Sequence, residues 1–148
     1  MRTFILLLVI TLSLLSTSAT WAEQYVGTDD IQVHYSAIST DKLPPAVARA
    51  YGITRSQSRA MLNVTVLQTG GGHELGKPIN GEVKASATNL TGQRRDIDMR
   101  RIEDAGAIYY VGFVRVTDAE TLDFVVDVLP AGKDDPMKVA FRQQFFVD

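Results

Sequence analysis

The stretch Thr121-Leu122-Asp123-Phe124-Val125-Val126-Asp127-Val128-Leu129 puts Leu122, Phe124, Val126 and Val128 at alternate positions, with Asp123 and Asp127 among the residues between. Successive side chains of a strand point to opposite faces, so this segment reads as a strand with one buried and one solvated face. Just upstream, Ala107 to Val116 is apolar almost without interruption, which predicts a central strand covered at least in part on both sides. Working outward, Arg59 to Gln68 alternates Ala60, Leu62, Val64 and Val66 with Met61, Asn63, Thr65 and Leu67. Gln32 to Ile38 sets His34 and Ser36 against Val33, Tyr35 and Ala37, and Gly81 to Thr88 turns Val83, Ala85 and Ala87 inward. Met137 to Val147, read as the last strand, carries Val139, Phe141 and Phe145 on one side. Gln93 to Ile102 reads as one further strand, with Arg94, Asp96, Asp98 and Arg100 on one face and Arg95, Ile97, Met99 and Arg101 on the other.

Turn chemistry separates these segments at Asn89-Leu90-Thr91-Gly92, at Glu103-Asp104-Ala105-Gly106 and from Pro130 to Pro136. The glycine-rich stretch from Thr69 to Pro78 is expected to be a loop. Helix signals are confined to Leu43 to Gly52, where Pro45 suits a first helical position and Gly52 the position past the end, predicting a single helix of about two turns. About seven strands at short, regular spacing predict an all-β fold, an antiparallel β-sandwich of immunoglobulin-like architecture with one short helix. The likeness to immunoglobulin domains is architectural only, because the chain has no cysteine and its one Trp, Trp21, precedes the first strand.

The first two dozen residues carry a different message. Arg2, the apolar run from Phe4 to Leu15 and the small residues from Ser16 to Ala22 have the layout of a secretory signal cleaved after Ala22. The run is shorter than the ~20 residues of a bilayer span, so no transmembrane segment is expected after cleavage. Residues 1–22 are therefore expected to be a cleaved leader and 23–148 one sandwich domain, located in the periplasm or secreted.

Composition removes several functions. Fifteen Lys and Arg against seventeen Asp and Glu leave a net charge of -2, with no basic excess for a nucleic-acid backbone. The absence of cysteine excludes disulfides, thiolate metal sites and a Cys nucleophile. Gly71 to Lys77 matches the start of a phosphate-binding loop, but Pro78 stands where Ser or Thr must hold magnesium and no helix pattern follows. His73-Glu74 opens a zinc-protease motif whose second histidine is replaced by Lys77. His34 and His73 fall in separate elements, no Gly-x-Ser-x-Gly elbow is present, and Asp96 and Asp98 share their face with Arg94 and Arg100. Neither a cofactor nor a metal is expected.

What remains is a surface rich in Arg and Tyr: Arg55, Arg59, Arg94, Arg95, Arg100 and Arg101, with Tyr35, Tyr51, Tyr109 and Tyr110. That mixture is favoured at binding surfaces, and the same side chains can serve as partners for Asp and Glu across strands. The segments Tyr35-Ser36-Ala37, Leu43 to Ser56, Asn63-Val64-Thr65-Val66, Asn89 to Gln93 and Ala107-Ile108-Tyr109-Tyr110 resemble the domain of unknown function 4426, a family of small exported proteins of Gram-negative bacteria. The resemblance runs from Tyr35 to Phe146 and implies a periplasmic or secreted bacterial protein with no assigned activity. It draws attention to Tyr51, Arg55, Asn63 and Asn89, which with Tyr35 and Tyr109 make up the candidate binding residues. Several have a structural role open to them as well. Tyr51-Gly52 ends the helix, Arg55 can bond carbonyls left open there, and Asn63 and Asn89 can satisfy turn or edge backbone.

The resulting expectation is a non-enzymatic binding or protein-interaction module. It would meet a small periplasmic ligand or another envelope protein through a Tyr/Arg groove or the edge of the last strand. One alternative is a small hydrolase using His34 and nearby carboxylates, which requires His34 in a concavity within reach of a carboxylate and a hydroxyl. The other is a structural envelope component without a small ligand.

Overall fold

The computed structural model describes residues 24–70 and 73–147, and the leader expected over residues 1–22 lies outside them. Among the described residues ten strands form two antiparallel sheets. The larger sheet runs in the order β1 (Gln24–Gly27), β2 (Ile31–Ser39), β3 (Arg59–Gly70), β8 (Ala107–Arg115), β7 (Arg100–Asp104), with β4 (His73–Pro78) also paired to β3. The smaller runs β10 (Met137–Gln144), β9 (Thr121–Pro130), β5 (Gly81–Asn89), β6 (Arg94–Ile97). Leu122, Phe124, Val126 and Val128 of β9 are fully buried against Val33, Leu62, Val64 and Val66 of the facing sheet, as their alternation predicts. On the outer face of β9, Asp123 and Asp127 pair with Arg142 and Lys138 of β10 at 2.6 and 3.5 Å. The all-β sandwich is the fold that the strand periodicity anticipates.

β8 is central. Flanked by β3 and β7, it sends Ile108, Tyr110 and Val114 into the core between the sheets and Val111 to the opposite face, under Leu43 and Ala48. Both faces of this strand are thus covered, which accounts for its unbroken apolar sequence.

Several elements depart from the sequence-based expectation. Gln93 to Ile102 is not one strand: β6 pairs with β5 in the smaller sheet and β7 with β8 in the larger, so the chain crosses between sheets at Asp98 and Met99. Ile97 and Met99 both turn to the interior, as a single strand would also have them, so alternation does not reveal the crossing. Room for it comes from Gly112 on β8, where a Cβ would lie 2.4 Å from Ile97 Cγ2 and 2.5 Å from Met99 Sδ. The stretch read as a loop contains β4, which occupies the edge of β3 from Leu67 to Gly70 that β8, pairing only as far as Val64, leaves open. Pro78 closes β4 on a sheet edge, where its missing donor is harmless; Gly71 and Gly72 lie outside the described residues. β1 is short and exposed throughout, and so has no burial pattern to read.

The last strand ends at Gln144, because its partner β9 begins at Thr121. Beyond it the amides of Phe145 and Val147 bond to the Glu120 carbonyl and the Asp118 carboxylate, at 2.9 and 3.0 Å. The helix α1 (Pro45–Ala50) forms as predicted, but a 3-10 turn at Thr40–Lys42 precedes it, so it is not the sole helical segment.

Two local features give measurable expectations. β7 and β8 are joined by Ala105 and Gly106, both with positive φ, 47° and 83°, as in the two-residue turn that matches strand twist. Alanine is strained in that region and asparagine much less so, so Ala105→Asn is expected to raise stability by about 0.5–1 kcal/mol in chemical denaturation. At the end of the sandwich the Glu120 carboxylate receives the Thr117 amide at 2.9 Å and the guanidinium of Arg95. Burial pushes its pKa up, but the Thr117 amide and then Arg95 outweigh that and hold it below the usual glutamate value. A depressed pKa stabilises the fold above the unfolded-state value, about 4.3, and the benefit is lost as pH falls through the folded-state value. Glu120→Gln is therefore expected to lower the melting point near neutrality and to flatten its decline in acid, measured by thermal denaturation across pH.

Candidate functional site

The outward face of the larger sheet is not polar throughout, and this asymmetry creates the site. Met61 of β3 and Val111 of β8 point outward and are buried only because the segment from Thr40 to Ile53 folds over them. Pro45 opens α1 with its fixed φ, and Gly52, at φ 64°, closes it. The Gly52 amide bonds the Arg49 carbonyl at 3.2 Å and the Ile53 amide the Ala48 carbonyl at 2.7 Å, a paired closure that folds Ile53 back beside Ala48. The fully buried Thr40 fastens the two ends of the segment together. Its Oγ1 accepts the Ser56 amide at 2.9 Å and donates towards the Thr54 and Ser56 carbonyls at 3.0 and 3.1 Å.

A helix of six residues is too short to cover the face beneath it, and an apolar cleft of about 290 Å³ remains alongside. Val47 and Tyr51 form its helical wall, Leu43 and Ile53 its ends, and Met61, Val111, Ile102, Tyr109 and Asn63 its sheet side. Tyr51 Oη donates to Asp104 Oδ2 at 2.7 Å, tying the end of α1 to β7. The carboxylate raises the Tyr51 phenol above its usual range, which keeps this hydroxyl protonated and donating. Asn63 makes no side-chain hydrogen bond to the described residues.

Past Asn63 and Tyr109 the cleft adjoins a second depression of about 250 Å³, which reaches His34 and Thr65. His34 Nε2 lies 3.1 Å from Gln32 Oε1, and its ring stacks on Tyr25 at 5.3 Å. No Asp or Glu lines this depression among the described residues. Thr65, the residue paired with His34 across β2 and β3, brings a hydroxyl to the same depression.

Of the six candidate binding residues, Tyr51, Asn63 and Tyr109 converge on the cleft. Tyr35 faces the opposite way, into the core, with its ring 4.7 Å from Phe141. Arg55 bonds a carbonyl, but that of Asp41 in the 3-10 turn rather than those at the end of α1. Asn89 organises the turn after β5, accepting the Thr91 amide, the Thr91 hydroxyl and the Gln93 amide at 3.2, 2.8 and 2.9 Å. The apolar lining was not singled out from sequence, although Met61 and Val111 on outward-facing positions are the trace of a covered outer face.

Fold and site together define the class: a β-sandwich whose larger sheet carries a short helix, closed at its C-terminal end by Gly52, over an apolar cleft. The family model for the domain of unknown function DUF4426 matches residues 26–148. The crystal structure of a DUF4426 family protein from Pseudomonas aeruginosa PAO1 is 32% identical, with a TM-score of 0.71 over 85% of this chain and 96% of that one. The chain belongs to the DUF4426 family.

Two structures of FetP from uropathogenic Escherichia coli strain F11 also align. One is the protein as isolated after recombinant expression in the E. coli periplasm, at 9% identity over 84% of this chain and 93% of that one, with a TM-score of 0.58. The other is a copper-bound variant at 10% identity, over 84% and 95% of the two chains, with the same TM-score of 0.58. At such identity the likeness is one of fold alone. Among the described residues no three His, Asp or Glu side chains are grouped to hold a metal ion, and no helix is long and apolar enough to cross a membrane. No curated protein matches the chain.

Proposed function

We propose that the protein is exported with loss of residues 1–22 and acts in the periplasm as a non-enzymatic binding module formed by residues 23–148. Its ligand is a small molecule with an apolar body and one hydrogen-bonding group, taken into the cleft beside α1. The observation that carries this reading is the convergence of Tyr51, Asn63 and Tyr109 on an otherwise apolar cleft, where the Asn63 carboxamide is left to solvent or ligand. Apolar walls supply affinity, while a few fixed polar groups supply orientation. A ligand that pairs with Asn63 replaces the water it displaces, and one that cannot leaves a buried amide without a partner. Export is supported by the layout of residues 1–22 and by the family resemblance.

The test is a thermal-shift screen of small alcohols, amides and amino acids with aromatic or branched bodies. A ligand at 100 times its dissociation constant adds about 2.7 kcal/mol, which for a chain of this size moves the midpoint by about 8 °C or more. Val47 stands at the rim, 38% exposed, so Val47→Trp fills the cleft without entering the core between the sheets. The shift is expected in the wild type and not in Val47→Trp. A shift of equal size in both places the ligand elsewhere, and no shift from any of these compounds counts against a small-molecule site.

A second reading, an envelope protein as partner, is favoured by one observation. β10 lies at an edge of the smaller sheet and leads into Phe146, which is 62% exposed.

A further inference from the structure

Arg59 of β3 and Arg115 of β8 are direct cross-strand partners. Like charges directly opposite in a sheet repel, whereas Arg142, Lys138, Arg95 and Arg101 are each set against an acid, on Asp123, Asp127, Glu120 and Glu103. Among the described residues neither Arg59 nor Arg115 has a carboxylate partner. The two instead border a depression of about 370 Å³ shared with Thr54, Ser56 and Ser58, and no Asp or Glu among the described residues lines it.

The surroundings are rigid. The Arg59 guanidinium is held 4.3 Å above the Phe113 ring, which occupies one face of its plane and leaves the in-plane N–H donors available. The segment carrying the hydroxyls is pinned on both sides, by the Ser56 amide on Thr40 Oγ1 at 2.9 Å and by the Val116 amide on the Ser58 carbonyl at 3.0 Å. Ser56 Oγ and Ser58 Oγ lie 3.0 Å apart, so one hydroxyl proton links them and the other is left to donate outward.

We infer that Arg59, Arg115 and the Ser56–Ser58 hydroxyls form an anion site for a phosphate-type oxyanion, distinct from the cleft and independent of its ligand. A phosphate group carries nearly two negative charges at neutral pH and offers three acceptor oxygens, matching two guanidinium groups and a hydroxyl donor. The bound anion removes the repulsion that the register imposes on the arginine pair. A phospholipid headgroup is a phosphodiester, with one charge and two free oxygens, and presents the same acceptor type to the guanidinium donors in weaker form.

The test compares inorganic phosphate with chloride at equal ionic strength, read by melting point and by amide chemical shifts, for the wild type, Arg59→Gln and Arg115→Gln. The expected result is saturable, phosphate-specific binding with shifts centred on residues 56–59 and 113–116, weakened at least tenfold in either variant. Arg115→Gln is also expected to melt no lower than the wild type in phosphate-free buffer, which separates loss of binding from loss of fold. In a second arm, sedimentation with phosphatidylglycerol vesicles that inorganic phosphate competes away assigns the headgroup as the source, while phosphate binding without sedimentation assigns a soluble phosphate. Equal effects of phosphate and chloride on the wild type, or undiminished phosphate binding in the Arg59→Gln, Arg115→Gln double variant, overturns the inference.

Discussion

Phe124→Ala is expected to lower the unfolding free energy by about 3–5 kcal/mol, the range for deleting a fully buried aromatic ring. Phe124 is 1% exposed, stacks on Phe141 with centroids 4.9 Å apart and meets Phe145 edge-on at 6.2 Å, while Tyr35 packs on the far side at 4.7 Å from Phe141. The ring thus joins β9, β10, the C-terminal segment and, through Tyr35, the facing sheet. Truncation leaves a void that neighbouring rings on rigid strands cannot close, and aromatic pairing is lost along with buried area. Urea denaturation measures the effect directly, with Phe124→Leu as the milder comparison at about 1.5 kcal/mol or less. A loss under about 1 kcal/mol in Phe124→Ala is outside the range for a packed core ring and contradicts this packing.

The second large effect is expected at Gly112. Gly112→Ala sets a methyl group 2.4 Å from Ile97 Cγ2, 2.5 Å from Met99 Sδ and 3.0 Å from the Asp98 carbonyl oxygen, so the crossing between β6 and β7 must move away from β8. Overpacking of this kind costs about 1–3 kcal/mol. Ile97→Ala removes the closest atom and is itself destabilising, but the pair is expected to couple: the double variant loses less than the sum of the two single variants. Additive losses in a double-mutant cycle exclude this contact as the reason for the glycine.

How far the fold was legible from the sequence follows from which features were periodic. β9 and β3 each have a buried face in strict alternation, and β8 is apolar throughout, so these three announced themselves and with them the sandwich. β4 and β1 did not, because edge strands bury little and tolerate Gly and Pro. The division of Gln93 to Ile102 was hidden for a different reason: its inward residues stay inward as the chain changes sheet, and the enabling residue, Gly112, belongs to another strand. Helix ends are local chemistry, and Pro45 and Gly52 marked α1 closely.

The candidate site was only half legible. Tyr51, Asn63 and Tyr109 stood out as polar or aromatic residues, whereas Leu43, Val47, Ile53 and Ile102 look like any core residues until the helix is placed over the sheet. Tyr35, Arg55 and Asn89 show the converse, residues of binding type that the fold uses for its own packing and hydrogen bonding. The register that sets Arg59 against Arg115 depends on strand pairing, which no single segment encodes.

The central claim is that the cleft beside α1 takes an apolar body and a hydrogen-bonding group together, and an NMR titration with benzyl alcohol, a minimal molecule of that kind, tests it most directly. The expected result is a saturable displacement of the Asn63 carboxamide signals together with the Val47 and Ile102 methyl signals, abolished in Val47→Trp. The contradictory result is an unmoved Asn63 carboxamide up to the solubility limit of the alcohol, or the same displacement when the tryptophan fills the cleft.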